Sequence, residues 1–139
     1  MPIPHLGRPT ITVVAAVIRR EDGAILIGQR PKGEWNSFKW EFPGGKMEPS
    51  ETPRAALTRE LREELAIEAV IGEEMMRYEF EYPGRPPIYL IFLRVKSFKG
   101  EPRNLAFEQI AWAHPSELPQ YDFLDGDTDF VRRLAKGKL

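Results

Sequence analysis

GKMEPSETPRAALTRELREELAI, Gly45 to Ile67, is the stretch that decides how this chain is built. Thr52-Pro53 starts a helix: the hydroxyl serves as N-cap and proline suits the first helical position. From there to Leu65 the residues are strong helix formers, and Ala55, Ala56, Leu57, Leu61 and Leu65 recur at helical spacing. At about 100° per residue, Glu60, Glu63 and Glu64 fall within an arc of roughly 100°, so their carboxylates are expected to converge. Leu57, Leu61 and Leu65 form a neighbouring stripe suited to a core. Glu60 and Glu64 are like charges at i,i+4, and acids late in a helix oppose its dipole. A solvated helix with an Arg59–Glu63 pair is the plain reading of RELREEL alone. The glycine turn at Gly44-Gly45 and Glu51 at a set distance upstream favour a second reading, a hard divalent cation held by oxygen ligands.

Outward from this helix, Thr10–Arg20 is β-branched and apolar, and reads as a buried strand. Glu21-Asp22-Gly23 reads as a tight turn, with Ala24–Arg30 as the antiparallel partner strand. Pro31–Lys39 is polar and irregular, a mobile loop by composition. Trp40–Phe42 leads into Pro43-Gly44-Gly45. Glu68–Tyr82, Ile88–Phe98 and Phe107–Ala113 read as strands, Pro115–Leu118 as a helical turn and Thr128–Lys136 as an amphipathic helix. This order suggests an α/β fold with a mixed sheet flanked by helices; pattern alone leaves the topology open.

The 139 residues fit one domain, 1–139, with room for a proper core. Charged residues are 29% and balanced to a net charge of −1, which argues against a polyanion-binding surface and hence against nucleic acid. With no cysteine there is no disulfide, thiol nucleophile or thiolate metal site. No apolar run is long enough to span a membrane, and Met1–Pro9 lacks the apolar centre of a signal peptide. A soluble, cytoplasmic protein, a monomer or small homo-oligomer, is the expectation.

The segment resembles the signature of the Nudix hydrolases: glycine, five residues, glutamate, seven residues, then Arg-Glu-apolar-x-Glu-Glu-x-Gly-apolar. Every position matches except Ala66, where the family has a glycine that serves the turn after the helix. The context WEFPGGKMEPSETPRAAL is similar to the MutT-type branch, which cleans nucleotide pools. The resemblance implies an α/β/α sandwich with a mixed central sheet, and a Mg²⁺ ion, with Mn²⁺ as a second candidate. It implies Glu60, Glu63, Glu64 and the backbone carbonyl of Gly44 as metal ligands, Glu60 also as proton acceptor from the attacking water, and Arg59 as a catalytic-site residue that orients a carboxylate. Glu51 is structural in the family. One departure concerns an additional acid that this branch carries six residues before a tryptophan. Here Trp112 is present but the acid's position is Ala106; Glu108, two residues on, either substitutes or is an ordinary polar residue.

For the substrate, alignment with the branch places Arg30 where a substrate-contacting arginine is expected. Lys46 is a phosphate contact or a loop lysine. Phe42 and Tyr82 offer faces to a nucleobase or pack the core, and Arg85 flanks the PGR loop beside Tyr82. Asp127 occupies the place of an asparagine that reads the purine edge in 8-oxo-dGTP enzymes. Family members resembling CTP or dCTP pyrophosphohydrolases carry an aspartate there. An ionised aspartate accepts without donating, which suits an exocyclic amine; its plain role is helix capping. The leading expectation is a small-molecule nucleotide enzyme, a nucleoside triphosphate pyrophosphohydrolase releasing a monophosphate and pyrophosphate. The rivals are a Nudix hydrolase of nucleotide sugars or dinucleotide polyphosphates, and a non-catalytic Nudix ligand-binding module.

Overall fold

A computed structural model describes residues 11–139. Thr10, the expected first residue of the opening strand, and Met1–Pro9 lie outside the described residues.

Among the described residues, seven strands and two α-helices follow in the order β1 (Ile11–Val17), β2 (Ile25–Gln29), β3 (Trp40–Glu41), β4 (Gly44–Lys46), α1 (Pro53–Leu65), β5 (Glu68–Phe80), β6 (Ile88–Lys99), β7 (Gln109–Ala113) and α2 (Thr128–Ala135). They make two sheets. The four-stranded one runs β4-β1-β6-β5 and is mixed, because β1 and β6 are parallel while β4 and β5 pair antiparallel. The three-stranded one runs β3-β2-β7 and is antiparallel throughout.

This corrects the expected hairpin. The turn at 21–23 forms, with the amide of Arg20 bonded to the carbonyl of Ala24 at 2.8 Å and an isolated bridge from Arg19 to Ile25. Beyond that bridge the two strands part, β1 into one sheet and β2 into the other. At Pro43 the chain crosses back, so β3 and β4 also belong to different sheets. Strand β7 starts at Gln109 and not Phe107. The Asn104 side-chain oxygen accepts from the amides of Ala106 and Phe107 and holds that segment in a turn.

Period-two alternation directs the strands to two cores. Val14, Ala16, Leu26, Ile91 and Leu93 face Leu57, Leu61 and Leu65 of α1. Ala15, Val17, Ile25, Ile27 and Phe92 face Phe130, Val131 and Leu134 of α2. A helix on each side of the sheets gives the expected sandwich. Each fully buried leucine of α1 contributes about 1.5–3 kcal/mol, so the leucine stripe anchors the helix and fixes the direction of its acidic face.

Helix α1 begins as the sequence dictates: Thr52 Oγ1 accepts from the Ala55 amide at 3.1 Å, and Pro53 follows. It ends at Ala66, whose φ of 56° and ψ of 35° are left-handed. The last carbonyls are covered from a distance, Leu65 by the Arg103 amide at 2.8 Å and Glu64 by the Leu105 amide at 3.0 Å. That pairing brings the segment before β7 to the end of the acidic helix.

Candidate active site

Between the sheets lies a cavity of about 510 Å³. Its wall includes Arg30, Phe42, Gly44, Lys46, Glu64, Tyr82, Arg85 and Asp127, eight positions singled out by sequence, together with Glu41 and Trp35, which were not.

The acidic end is built on α1. Glu64 Oε1 accepts from the Gly44 amide at 3.0 Å. Burial, with Glu60 and Glu41 nearby, pushes its carboxyl up to about 9. Glu60 is 15% exposed and receives Arg59 Nη1 at 2.9 Å; burial raises its carboxyl too, against the opposing pull of Arg59. Arg59 holds the opposite side with a fork on Glu51, at 2.8 and 2.9 Å, and a bond to the Lys46 carbonyl at 3.2 Å. The fork and a backbone hydrogen bond at Glu48 lower Glu51 to about 2. Glu51 and Arg59 therefore tie the glycine turn to the helix.

The glycines are steric necessities. A Cβ on Gly44, whose φ is +154°, would stand 1.9 Å from the Val14 carbonyl oxygen. A Cβ on Gly45 would stand 2.6 Å from the Glu60 carboxyl carbon. The close approach of backbone to carboxylate is what the two glycines provide.

The expected convergence of three glutamates is incomplete. Glu60 turns to Arg59, Glu64 to the Gly44 amide, and Glu63 is 58% exposed, 3.6 Å from Arg59. Among the described residues no three acidic side chains stand ready as a closed ligand set. The chemistry of the donors nonetheless fits a hard cation, since all are oxygens and the repulsion that raises Glu64 is the kind a cation relieves.

Ala106 lines the cavity, so the place of the branch's additional acid is on the wall but carries no carboxylate. Glu108 stands apart from that place. Its Oε1 accepts from the Lys32 amide at 3.2 Å and the residue is outside the cavity lining.

The other end of the cavity is organised around Asp127. Gly126 is clamped by two tyrosines: Tyr78 donates to its carbonyl, and its amide donates to Tyr82 Oη at 2.8 Å. Asp127 follows, 5% exposed, at the N-cap position of α2 but with no side-chain capping bond. Burial, with Glu41 nearby, holds its carboxyl well above the ordinary range. Glu41 sits between the two ends. It accepts from Arg30 Nη1 at 3.2 and 3.3 Å, yet burial outweighs Arg30 and brings it to about 7. Phe42 lines the cavity and packs on Phe92, Phe123 and Phe130. Arg85 stacks on Trp35, its guanidinium 4.2 Å from the indole centroid.

Residues 9–134 match the model of the NUDIX domain. The chain belongs to the Nudix family. Among curated Nudix relatives, a CTP pyrophosphohydrolase of Escherichia coli K12 is 44% identical over 117 residues, covering 84% of this chain and 85% of its own. An 8-oxo-dGTP diphosphatase of Haemophilus influenzae is 35% identical over 129 residues, covering 93% and 94%. The solution structure of the E. coli ORF135 protein superposes with a TM-score of 0.82 at 40% identity, over 94% of this chain and 91% of that one. A MutT protein from Methanosarcina mazei superposes at 0.83 with 25% identity, over 95% and 97%. The chain is a Nudix hydrolase of the MutT type, and hydrolases of this family generally need a divalent metal. Among the described residues, no helix is long and apolar enough to cross a membrane.

Proposed function

We propose that this Nudix hydrolase cleaves a nucleoside triphosphate to the monophosphate and pyrophosphate, and that its base is cytosine. The observation that carries the reading is the polarity of one cavity: Glu64 of the acidic helix on its wall at one end, and at the other a buried Asp127 whose side chain makes no capping bond. A polyphosphate suits the first end and a base edge the second. Burial, with Glu41 nearby, favours the neutral form of Asp127 over the charged one, and a neutral carboxyl both donates and accepts. That pair matches an exocyclic amine beside a bare ring nitrogen, as in cytosine. The 44%-identical relative named for CTP supports the choice.

Glu60, Glu63, Glu64 and the Gly44 carbonyl would hold Mg²⁺, with Mn²⁺ as a substitute. The ion, when bound, neutralises phosphate oxygens and lowers the pKa of water. Glu60 takes the proton of the attacking water; its raised affinity for protons suits that role. Arg59 keeps Glu60 facing the glycine turn, while Arg30 and Lys46 present cations to the phosphates and Arg85 lies at the base end against Trp35. Phe42 and Tyr82 flank the base.

Water attack at the β-phosphorus breaks the bond from that phosphorus to the α–β bridging oxygen, which leaves with the monophosphate. Hydrolysis of CTP in ¹⁸O-water is therefore expected to place label in pyrophosphate; label in the monophosphate, or orthophosphate as primary product, refutes the reading. Rates for CTP, dCTP, 5-methyl-dCTP, dGTP and 8-oxo-dGTP test the base.

A further inference from the structure

The cavity has a wall that the family signature does not specify. Trp35, on the 31–39 segment, lines the cavity and is 38% exposed, an unusual cost for an indole. It meets Tyr82 edge-on, with centroids 4.8 Å apart and planes at 87°; the Arg85 guanidinium lies over the ring at 4.2 Å and that of Arg30 stands further off at 5.8 Å, so a base packing here meets the indole together with these cations. Tyr82 in turn bonds to the peptide that precedes Asp127. The indole thus stands at the Asp127 end of the cavity, one side chain removed from the proposed base reader.

The 31–39 segment is built to hold this position. Gly33, Asn36 and Phe38 all have left-handed φ, at 89°, 55° and 67°. Such conformations in non-glycine residues cost energy and persist where surroundings fix them. Here Arg30 Nε grips the Trp35 carbonyl at 2.7 Å, Gln29 Nε2 grips the Phe38 carbonyl at 3.1 Å, and Ser37 Oγ accepts from the Gly33 amide at 3.1 Å. Glu108 secures the Lys32 amide. A loop that polar composition marks as mobile is pinned by three outside side chains and one internal bond, with Asn36 setting the backbone directly after the tryptophan.

We infer that Trp35 is a specificity-determining residue of this enzyme, the outer aromatic wall on which the nucleobase packs, set at a right angle to Tyr82 so that the two rings form a corner around the base held by Asp127. The inference rests on the proposed placement of the base at the Asp127 end. A planar, electron-poor base gains from an indole face, and removing such a platform weakens binding by about tenfold or more. The contact is equal in ground and transition states, so it acts on KM and not on kcat.

The test compares the wild type with Trp35→Ala, Trp35→Phe and Asp127→Ala in steady-state hydrolysis of CTP, with inorganic tripolyphosphate as competitor. Trp35→Ala is expected to raise KM for CTP about tenfold with kcat within about twofold, and Trp35→Phe to recover most of the loss. The Ki of tripolyphosphate, which has no base, is expected to stay unchanged. CTP titrated without divalent cation should quench tryptophan fluorescence in the wild type and much less in Trp35→Phe, since the other two tryptophans, Trp40 and Trp112, lie outside the cavity lining. An unchanged KM in Trp35→Ala overturns the inference, and so does the absence of Trp35-dependent quenching. A rise in the tripolyphosphate Ki equal to that in KM overturns it as well, because Trp35 then serves Arg85 and the phosphates. If Asp127→Ala loses CTP preference while Trp35→Ala does not, this inference fails and the reading of the cavity stands. If the wild type turns over no cytosine nucleotide, the reading itself fails.

Discussion

Ala66→Gly is the substitution whose effect follows most directly from the backbone. Ala66 ends α1 at φ 56°, ψ 35°, and its amide still bonds to the Arg62 carbonyl at 3.1 Å. For a residue with a Cβ the left-handed region costs about 1–2 kcal/mol. Glycine removes that cost but adds about 0.5–1 kcal/mol of unfolded-state freedom. The methyl group is exposed, so no packing is lost with it. The net is a gain of about 0.5–1 kcal/mol, or about 2–4 °C in Tm for a chain of this size. Urea unfolding followed by circular dichroism, with calorimetry alongside, measures it; the midpoint should rise with the slope unchanged. Turnover should hold, because Glu64 and its bond to Gly44 lie on the other side of the helix end. A neutral or destabilising Ala66→Gly refutes the strain argument, and would mean that the helix end relaxes in solution.

Three further outcomes are expected. Gly45→Ala puts a methyl 2.6 Å from the Glu60 carboxyl carbon, whose side chain can swing away; turnover should fall on the order of 100-fold with Tm nearly unchanged, since a displacement of about 1 Å at the chemistry costs that much. The metal-free protein should lose stability as pH rises. Glu41 and Glu64 bind protons more tightly folded than unfolded, so their contribution is full below the ordinary carboxylate range and lost as pH passes about 7 and about 9 respectively. Melting curves from pH 5 to 9 should show this decline, Glu64→Gln should flatten its upper part while abolishing turnover, and EDTA should stop the wild-type reaction. Asp127→Ala should lower kcat/KM for the best base about tenfold or more and flatten base preference, whereas Asp127→Asn, which keeps a donor and an acceptor, should shift selectivity and retain activity. A preference profile untouched by either change removes Asp127 from the base site.

Local physics carried much of this protein into view. Thr52-Pro53 opens the helix by capping, the leucines at 57, 61 and 65 bury one face by their period, and the acids between them are left on the other. Those relations involve neighbours within a turn or two, so sequence alone determines them, and with the two glycines they identify the family. What lies between distant segments was decided by tertiary structure. Residues 11–17 and 25–29 look like one hairpin because the tight turn between them is real, but each strand has a better partner elsewhere, and the resulting split opens the cavity. Glu41 carries no local mark; it becomes a buried acid near both Glu64 and Asp127 because its strand, at the edge of the three-stranded sheet, borders the cavity. Trp35 is one aromatic in a polar loop until contacts from Arg30, Gln29 and Glu108 fix that loop beside Tyr82. The three glutamates share a helix face by periodicity, yet their carboxylates point apart because Arg59, held by Glu51 from the loop before the helix, and the Gly44 amide of another element compete for them. Spacing along a chain fixes direction on one element; distance, burial and charge at a site depend on which elements meet.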